Sequence, residues 1–220
     1  MQRSLAPAVA LAVSAVLLLG CAPTSTAQPS PTPTSSPASP SPSPTPEVDP
    51  QIVVSLAGVT VTNETGTSSA SFDDSAALLD LLETATGELP SPETVEIFPG
   101  EPSTLQRYDW DGLSVVADRE GGSPASIAIT AAEVGDMQVI TEEGVGVGST
   151  RTELIDAGAW ALVDEEDPAT AANLGLGGQE VPDTQSLTRP GSVGILYELF
   201  VLEGDTVIRI LAPANDFSDL

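Results

Sequence analysis

Tyr108-Asp109-Trp110-Asp111-Gly112-Leu113 sets an Asp-Gly pair between two short alternating segments. Asp-Gly is the dipeptide expected of a two-residue type I′ hairpin turn, because glycine reaches positive φ without a Cβ clash. Pairing across that turn sets Trp110 opposite Leu113 and Tyr108 opposite Val115. Asp109 and Ser114 then face each other on the opposite, polar side. A period of two with one apolar face predicts antiparallel sheet.

The same pattern extends to both sides of this hairpin. Upstream, Ile52–Val54 and Val59–Thr62 read as strands divided by Gly58, with Asn63-Glu64-Thr65-Gly66 as turn material. A helix is expected to start at Asp73 or Asp74, both good N-caps. It carries Leu78, Leu79, Leu81, Leu82 and Ala85 on one stripe and stops at Gly87. Prolines 90, 92, 99 and 102 mark a loop leading into the hairpin. Ile127–Thr130 and Met137–Thr141 follow as strands.

Downstream, Thr150 and Glu153 fit a capping box ahead of a helix expected over Arg151–Val163, with Leu154, Ile155 and Trp160 on its apolar stripe and Gly158 weakening its middle. A long polar loop is expected from about 164 to 193. The strands Ile195–Leu202 and Thr206–Leu211 then close around Glu203-Gly204-Asp205. The order helix, loop, hairpin thus occurs twice. The expected fold class is α+β: antiparallel sheets with one helix per unit, in two related tandem units, 51–141 and 142–220.

In the final hairpin, alternation sets Tyr197, Leu199 and Val201 on one face with Ile208 and Ile210. The other face holds Phe200, Leu202, Val207 and Leu211, with Glu198 and Arg209 as its polar members. An apolar face of this size must be covered. Phe200, Leu202 and Val207 are therefore the candidate interaction residues, facing either the first unit or an outside partner.

The segment Val147-Gly148-Ser149-Thr150-Arg151-x-Glu153-Leu154 resembles the Gly-[Met/Ser]-Thr-x-x-[Glu/Gln]-Val helix start of a family of small secreted proteins with helix-plus-sheet modules. That family includes β-lactamase inhibitory proteins and small lipoproteins of outer-membrane assembly. The resemblance spans about ten residues and implies an α+β module with a binding role. The first unit lacks the Gly-x-Thr start, and the acidic loop departs from the pattern.

Residues 1–20 combine Arg3, an apolar run and Leu17-Leu18-Leu19-Gly20 before Cys21, the single cysteine. This reads as an export signal. Its ending resembles a bacterial lipobox, which implies that Cys21 is diacylated and becomes the mature N-terminus, anchoring the chain to the extracytoplasmic face of the membrane. The stretch 21–50 reads as a disordered stalk, since 22 of the 29 positions from 22 to 50 are Pro, Ser or Thr, ten of them Pro. Such a chain buries too little apolar surface to offset its ordering entropy. The absence of Lys and the Ala-, Gly- and Pro-rich usage resemble lipoproteins of Gram-positive actinobacteria.

Composition excludes several functions. Six basic residues, all Arg (3, 107, 119, 151, 189, 209), stand against 32 acids, for a formal net charge of −26. Nucleic-acid binding needs a basic surface. The absence of His and Lys excludes His-dependent triads, phosphate-loop lysines and Schiff bases. One Cys excludes an intramolecular disulfide.

Three constellations could still carry chemistry. Asp109-x-Asp111-Gly112 matches part of an EF-hand calcium loop, but its first ligand position is Arg107. Gly144, Gly146 and Gly148 have the spacing Gly-x-Gly-x-Gly, not that of a nucleotide fingerprint. Paired carboxylates are the remaining acid/base option. Neither a metal nor a cofactor is implied. The expected function is a noncatalytic, lipid-anchored binding lipoprotein of the cell envelope, whose partner is an envelope protein, a wall polymer or a small ligand. The rivals are a carboxylate-dependent hydrolase and a purely structural envelope lipoprotein.

Overall fold

The chain's backbone hydrogen bonds are met mainly by sheet. The computed structural model describes residues 49–217 apart from 97, 99, 102, 119, 122, 164 and 165. The expected signal peptide (1–20), the stalk as far as residue 48 and the lipidation site Cys21 lie outside the described residues.

Gly58 opens β2 (Gly58–Asn63), which folds back on β1 (Gln51–Val54). Asn63 Oδ1 accepts from the Thr65 N–H at 2.9 Å, fixing the turn into β3 (Gly66–Ser71), a Ser- and Thr-rich strand without an apolar signal. Helix α1 (Ser75–Thr86) starts and stops as its caps dictate. Asp74 accepts from the Ala77 N–H at 3.0 Å, and Gly87, at φ 84°, donates to the Glu83 carbonyl at 2.8 Å. Leu78 and Leu82 of its stripe are fully buried.

Then come β4 (Glu93–Thr94), β5 (Leu105–Trp110), β6 (Leu113–Asp118), β7 (Ser126–Ile129), β8 (Glu133–Val134) and β9 (Met137–Thr141). The β5–β6 register is Trp110 with Leu113, Asp109 with Ser114 and Tyr108 with Val115, as alternation requires. The turn is not type I′. Of its two central residues only Gly112 has positive φ (94°), the φ pattern of a type II turn.

Helix α2 covers only Arg151–Asp156, so the expectation of a helix to Val163 is corrected. Its capping box is present, with Thr150 accepting from the Glu153 N–H and Glu153 accepting from the Thr150 N–H. Gly158, at φ 102°, ends the run rather than merely weakening it. Trp160 thereby moves from a helical stripe to β10 (Trp160–Ala161). The expected loop 164–193 contains β11 (Asn173–Val181), a further correction. Strands β12 (Gly194–Glu203) and β13 (Thr206–Asn215) close the fold.

The strands form two sheets, ordered β3-β2-β1-β9-β8 and β10-β11-β12-β13-β7-β6-β5-β4. β1 and β9 run parallel; the other described pairings are antiparallel. The structure is sheet-rich rather than two tandem helix-plus-sheet units. Ile129 of β7 pairs with Ile210 of β13, so one sheet crosses the 141/142 boundary. The physical reason is that β7 and β13 would each otherwise present an unpaired edge. One hydrophobic cluster contains Ile52, Val59 and Val139 of the smaller sheet, Leu78 of α1, and Val115, Ile127, Phe200 and Ile210 of the larger one.

Register within β13 decides which side chains enter that core. Val201 pairs with Arg209 and Leu202 with Val207, leaving Ile208 as an extra residue. A second irregularity falls between Tyr197 and Leu199, which pair with Ala214 and Leu211. Strict alternation would group Ile208 with Ile210 and Arg209 with Val207. The bulge at Ile208 instead turns Val207 and Ile210 inward, both 0% exposed, while Ile208 is 42% exposed.

Candidate functional site

Most buried polar groups serve the fold. Arg151 donates to Asp205 Oδ1 (2.9 Å) and to the carbonyls of Pro168 (2.9 Å), Ala171 (2.6 Å) and Gly204 (2.6 Å). Asp216 accepts from Ser186 Oγ (2.6 Å), the Ile195 N–H (2.7 Å) and Thr188 Oγ1 (3.3 Å). Burial pushes its carboxyl up, but these hydrogen bonds and the charge of Arg189 outweigh that and hold it below the usual carboxylate range. Both are clamps, each satisfied by several partners and without a substrate-facing atom.

The sequence motifs fall into the same class. Asp109 Oδ2 accepts from Arg107 Nε at 2.7 Å, and Arg107 also reaches Glu93 at 3.2 Å, so the calcium-like turn spends its first carboxylate on a cation. In the glycine run, the Gly146 N–H donates to Ser149 Oγ (3.0 Å) and the Gly148 N–H to the Val207 carbonyl (2.8 Å). Those amides are therefore not free to cradle an anion. Trp160 packs on Gly175, where a Cβ would come within 2.6 Å of its ring, and lies under the Arg189 guanidinium at 4.9 Å.

Phe200, Leu202 and Val207 are 0%, 6% and 0% exposed. The chain itself covers them, so they are core residues rather than a surface offered to an outside partner. The same bulge divides the two polar residues expected beside them. Glu198 points inward and is 2% exposed, whereas Arg209 is exposed on the outer face.

That outer face of the larger sheet carries a depression of about 280 Å³. Val116, Ala128 and Leu211 form its apolar floor, Ser114 and Ser126 supply hydroxyls, Arg107 and Arg209 contribute positive charge, and Asp109 adds a carboxylate. The floor follows from pairing, since Ser114 lies beside Ala128 and Ala128 beside Leu211. Arg107 is neutralised by its two acids, while Arg209 has no ion pair among the described residues. The arrangement can hold a ligand through one cation, two hydroxyls and an apolar surface. Sequence alternation grouped Leu211 with Phe200 and did not single out Val116 or Ala128, and the bulge that turns Arg209 and Leu211 outward leaves no signal in a single sequence.

Among the described residues, Glu198 is the one buried acid left with an unpaired oxygen. Its Oε2 has no hydrogen-bond partner. Burial, then the charges of Glu143 and Glu142, push its carboxyl up to about 8. It lines none of the three main depressions.

Comparison with protein-family models, curated proteins and solved structures finds no match to this chain.

Proposed function

We propose that the protein is a noncatalytic binding lipoprotein, anchored through diacylglycerol on Cys21 to the extracytoplasmic face of the membrane, that engages an envelope component at the outer groove of its larger sheet. The observation that carries the binding role is the groove itself, an apolar floor of Val116, Ala128 and Leu211 beside Arg209, which has no ion pair among the described residues. A guanidinium next to apolar surface suits a ligand with one anionic group on an apolar body. The leader ending in Leu-Leu-Gly-Cys21 supports the anchor, and the Pro-rich stretch after it suits a spacer. The resemblance of 147–154 to secreted helix-plus-sheet modules agrees with a binding role. A hydrolase reading gains nothing from Glu198, the carboxyl raised to about 8, because that residue is 2% exposed and lines none of the three depressions formed by residues 55–71, 81–85, 95–128, 142 and 209–211.

Intact-cell photo-crosslinking from position 126 tests the groove. The expected result is a captured partner that Arg209→Glu loses while its circular dichroism stays native. Unchanged capture in Arg209→Glu would refute the groove. Cys21→Ala tests the anchor separately. It should move the protein out of the detergent phase, and unchanged partitioning would refute lipidation without touching the groove.

A further inference from the structure

Among the described residues the two sheets end in four edge strands. β4, β8 and β10 have two residues each, too short to seat another chain, whereas β3 has six. Six extended residues span about 20 Å. An edge strand presents a row of N–H and C=O groups without partners, and proteins protect such rows with charges, proline, bulges or a covering element. β3 has none of these. Its sequence Gly-Thr-Ser-Ser-Ala-Ser holds no charge and no proline, and its register with β2 runs unbroken from Asn63 with Gly66 to Gly58 with Ser71. Five of its residues are exposed and Ala70 is half-buried, so no described element covers it. Helix α1 packs beside it, on the face that Ser68 and Ala70 share with the buried Val61 and Val59. Between strand and helix lies a recess of about 150 Å³, lined by Gly66, Ser68, Leu81, Thr84 and Ala85. A free main-chain edge beside a recess for alternate side chains is the layout that strand addition uses.

The charge around this edge has one sign. Residues 58–88 contain Glu64, Asp73, Asp74, Asp80, Glu83 and Glu88 and no basic residue. Glu64 lies in the turn before β3, and Asp73 and Asp74 follow it directly. Asp80 stands one helical turn before Thr84, on the side of α1 that borders the recess. This charge argues against a second copy of the chain as the occupant. Antiparallel self-pairing over the whole strand would set Gly66 of one copy opposite Ser71 of the other, and so bring Glu64 against Asp73 and Asp74 at both ends. Like charges in facing positions are destabilising. The same acids attract a cationic strand. We propose that β3 is a docking edge for an extended segment of a partner protein, uncharged at its centre with a Lys or Arg at each end, which joins the smaller sheet as a further strand and sets one side chain into the recess beside α1. The recess shares no lining residue with the groove of the larger sheet, so the two surfaces are separate.

The probe is an acetylated and amidated peptide of alternating Thr and Val between two terminal lysines, titrated onto the full chain. Its binding should protect the β3 amides in hydrogen exchange. N-methylation of alternate residues removes the donors from one edge of the peptide at a time. The two alternately methylated peptides should therefore differ in affinity by about tenfold or more, because only one loses the main-chain bonds to β3. Exchanging both lysines for glutamates should weaken binding by about tenfold or more. Thr84→Arg, at an exposed position, fills the recess and reverses its charge, and should weaken the parent peptide to a similar degree while circular dichroism stays native. Absence of binding, or of protection in β3, would overturn the proposal. Equal affinities of the two methylated peptides would do the same, by showing attraction through charge without strand pairing. Protection of β3 that rises with protein concentration in the absence of peptide would assign the edge to a second copy and would also overturn it.

Discussion

Arg151 and Asp205 meet at 2.9 Å across 54 positions of sequence, yet only the arginine is inside, with its side chain 9% exposed against 85% for the aspartate. The ion pair is therefore the weaker part of the contact, because an exposed carboxylate gains little from pairing. The guanidinium instead joins α2 to the carbonyls of Pro168, Ala171 and Gly204. Asp205→Asn should cost less than about 1 kcal/mol. Arg151→Ala should cost about 2–4 kcal/mol, since it strands those carbonyls. Arg151→Lys should fall between, lacking the planar fork that reaches three acceptors. Urea midpoints of the three variants check the order, and an equal loss in the Asp205 and Arg151 variants would contradict it.

The half of the fold that could be read from sequence is the half whose cues are local. Asp74 and Gly87 cap α1, Thr150 and Glu153 form the box at α2, and Asp111-Gly112 sets the β5–β6 register. What could not be read is set by distant partners. The polar β3 exists because β2 offers it an edge, and β11 because Leu174 and Leu176 alternate into the core despite Gly175, Gly177 and Gly178. The extra residue Ile208 in β13 reverses the face assignments that follow it, those of Arg209, Ile210 and Leu211, and nothing in Thr206–Leu211 announces it. The candidate groove depends on that reversal and so was not legible as a site, whereas alternation does set Glu198 beside Phe200 and Leu202 and only its lack of a partner is decided by residues distant in sequence.

Asp216 should titrate in the opposite sense to Glu198. Its carboxyl lies below the usual range, held there against burial by Ser186, Ile195, Thr188 and Arg189. A depressed carboxyl contributes stability above its unfolded pKa and loses it as pH falls through the folded one. Asp216→Asn should therefore lower the melting temperature by several degrees at pH 6, at about 2–4 °C for each kcal/mol. The gap to wild type should narrow as pH approaches 2. A gap that stays constant from pH 6 to pH 2 would show that the carboxylate charge is not what the clamp uses.

The bulge at Ile208 makes its own prediction, because it sets two apolar residues of one hairpin in opposite environments. Phe200 is 0% exposed and pairs with Ile210, also 0% exposed, whereas Ile208 is 42% exposed. Phe200→Asp would bury a carboxylate among Leu202, Val207 and Ile210 with no cation at hand, a change that costs several kcal/mol. The variant should lose its cooperative unfolding transition. Ile208→Asp places the same charge where water reaches it, and should cost no more than about 1 kcal/mol of strand preference. Under strict alternation Ile208 would share the face of Ile210, and the two substitutions would both be disruptive. Denaturant unfolding of the pair therefore reads the register directly. A folded Phe200→Asp, or an unfolded Ile208→Asp, would place the bulge elsewhere in β13.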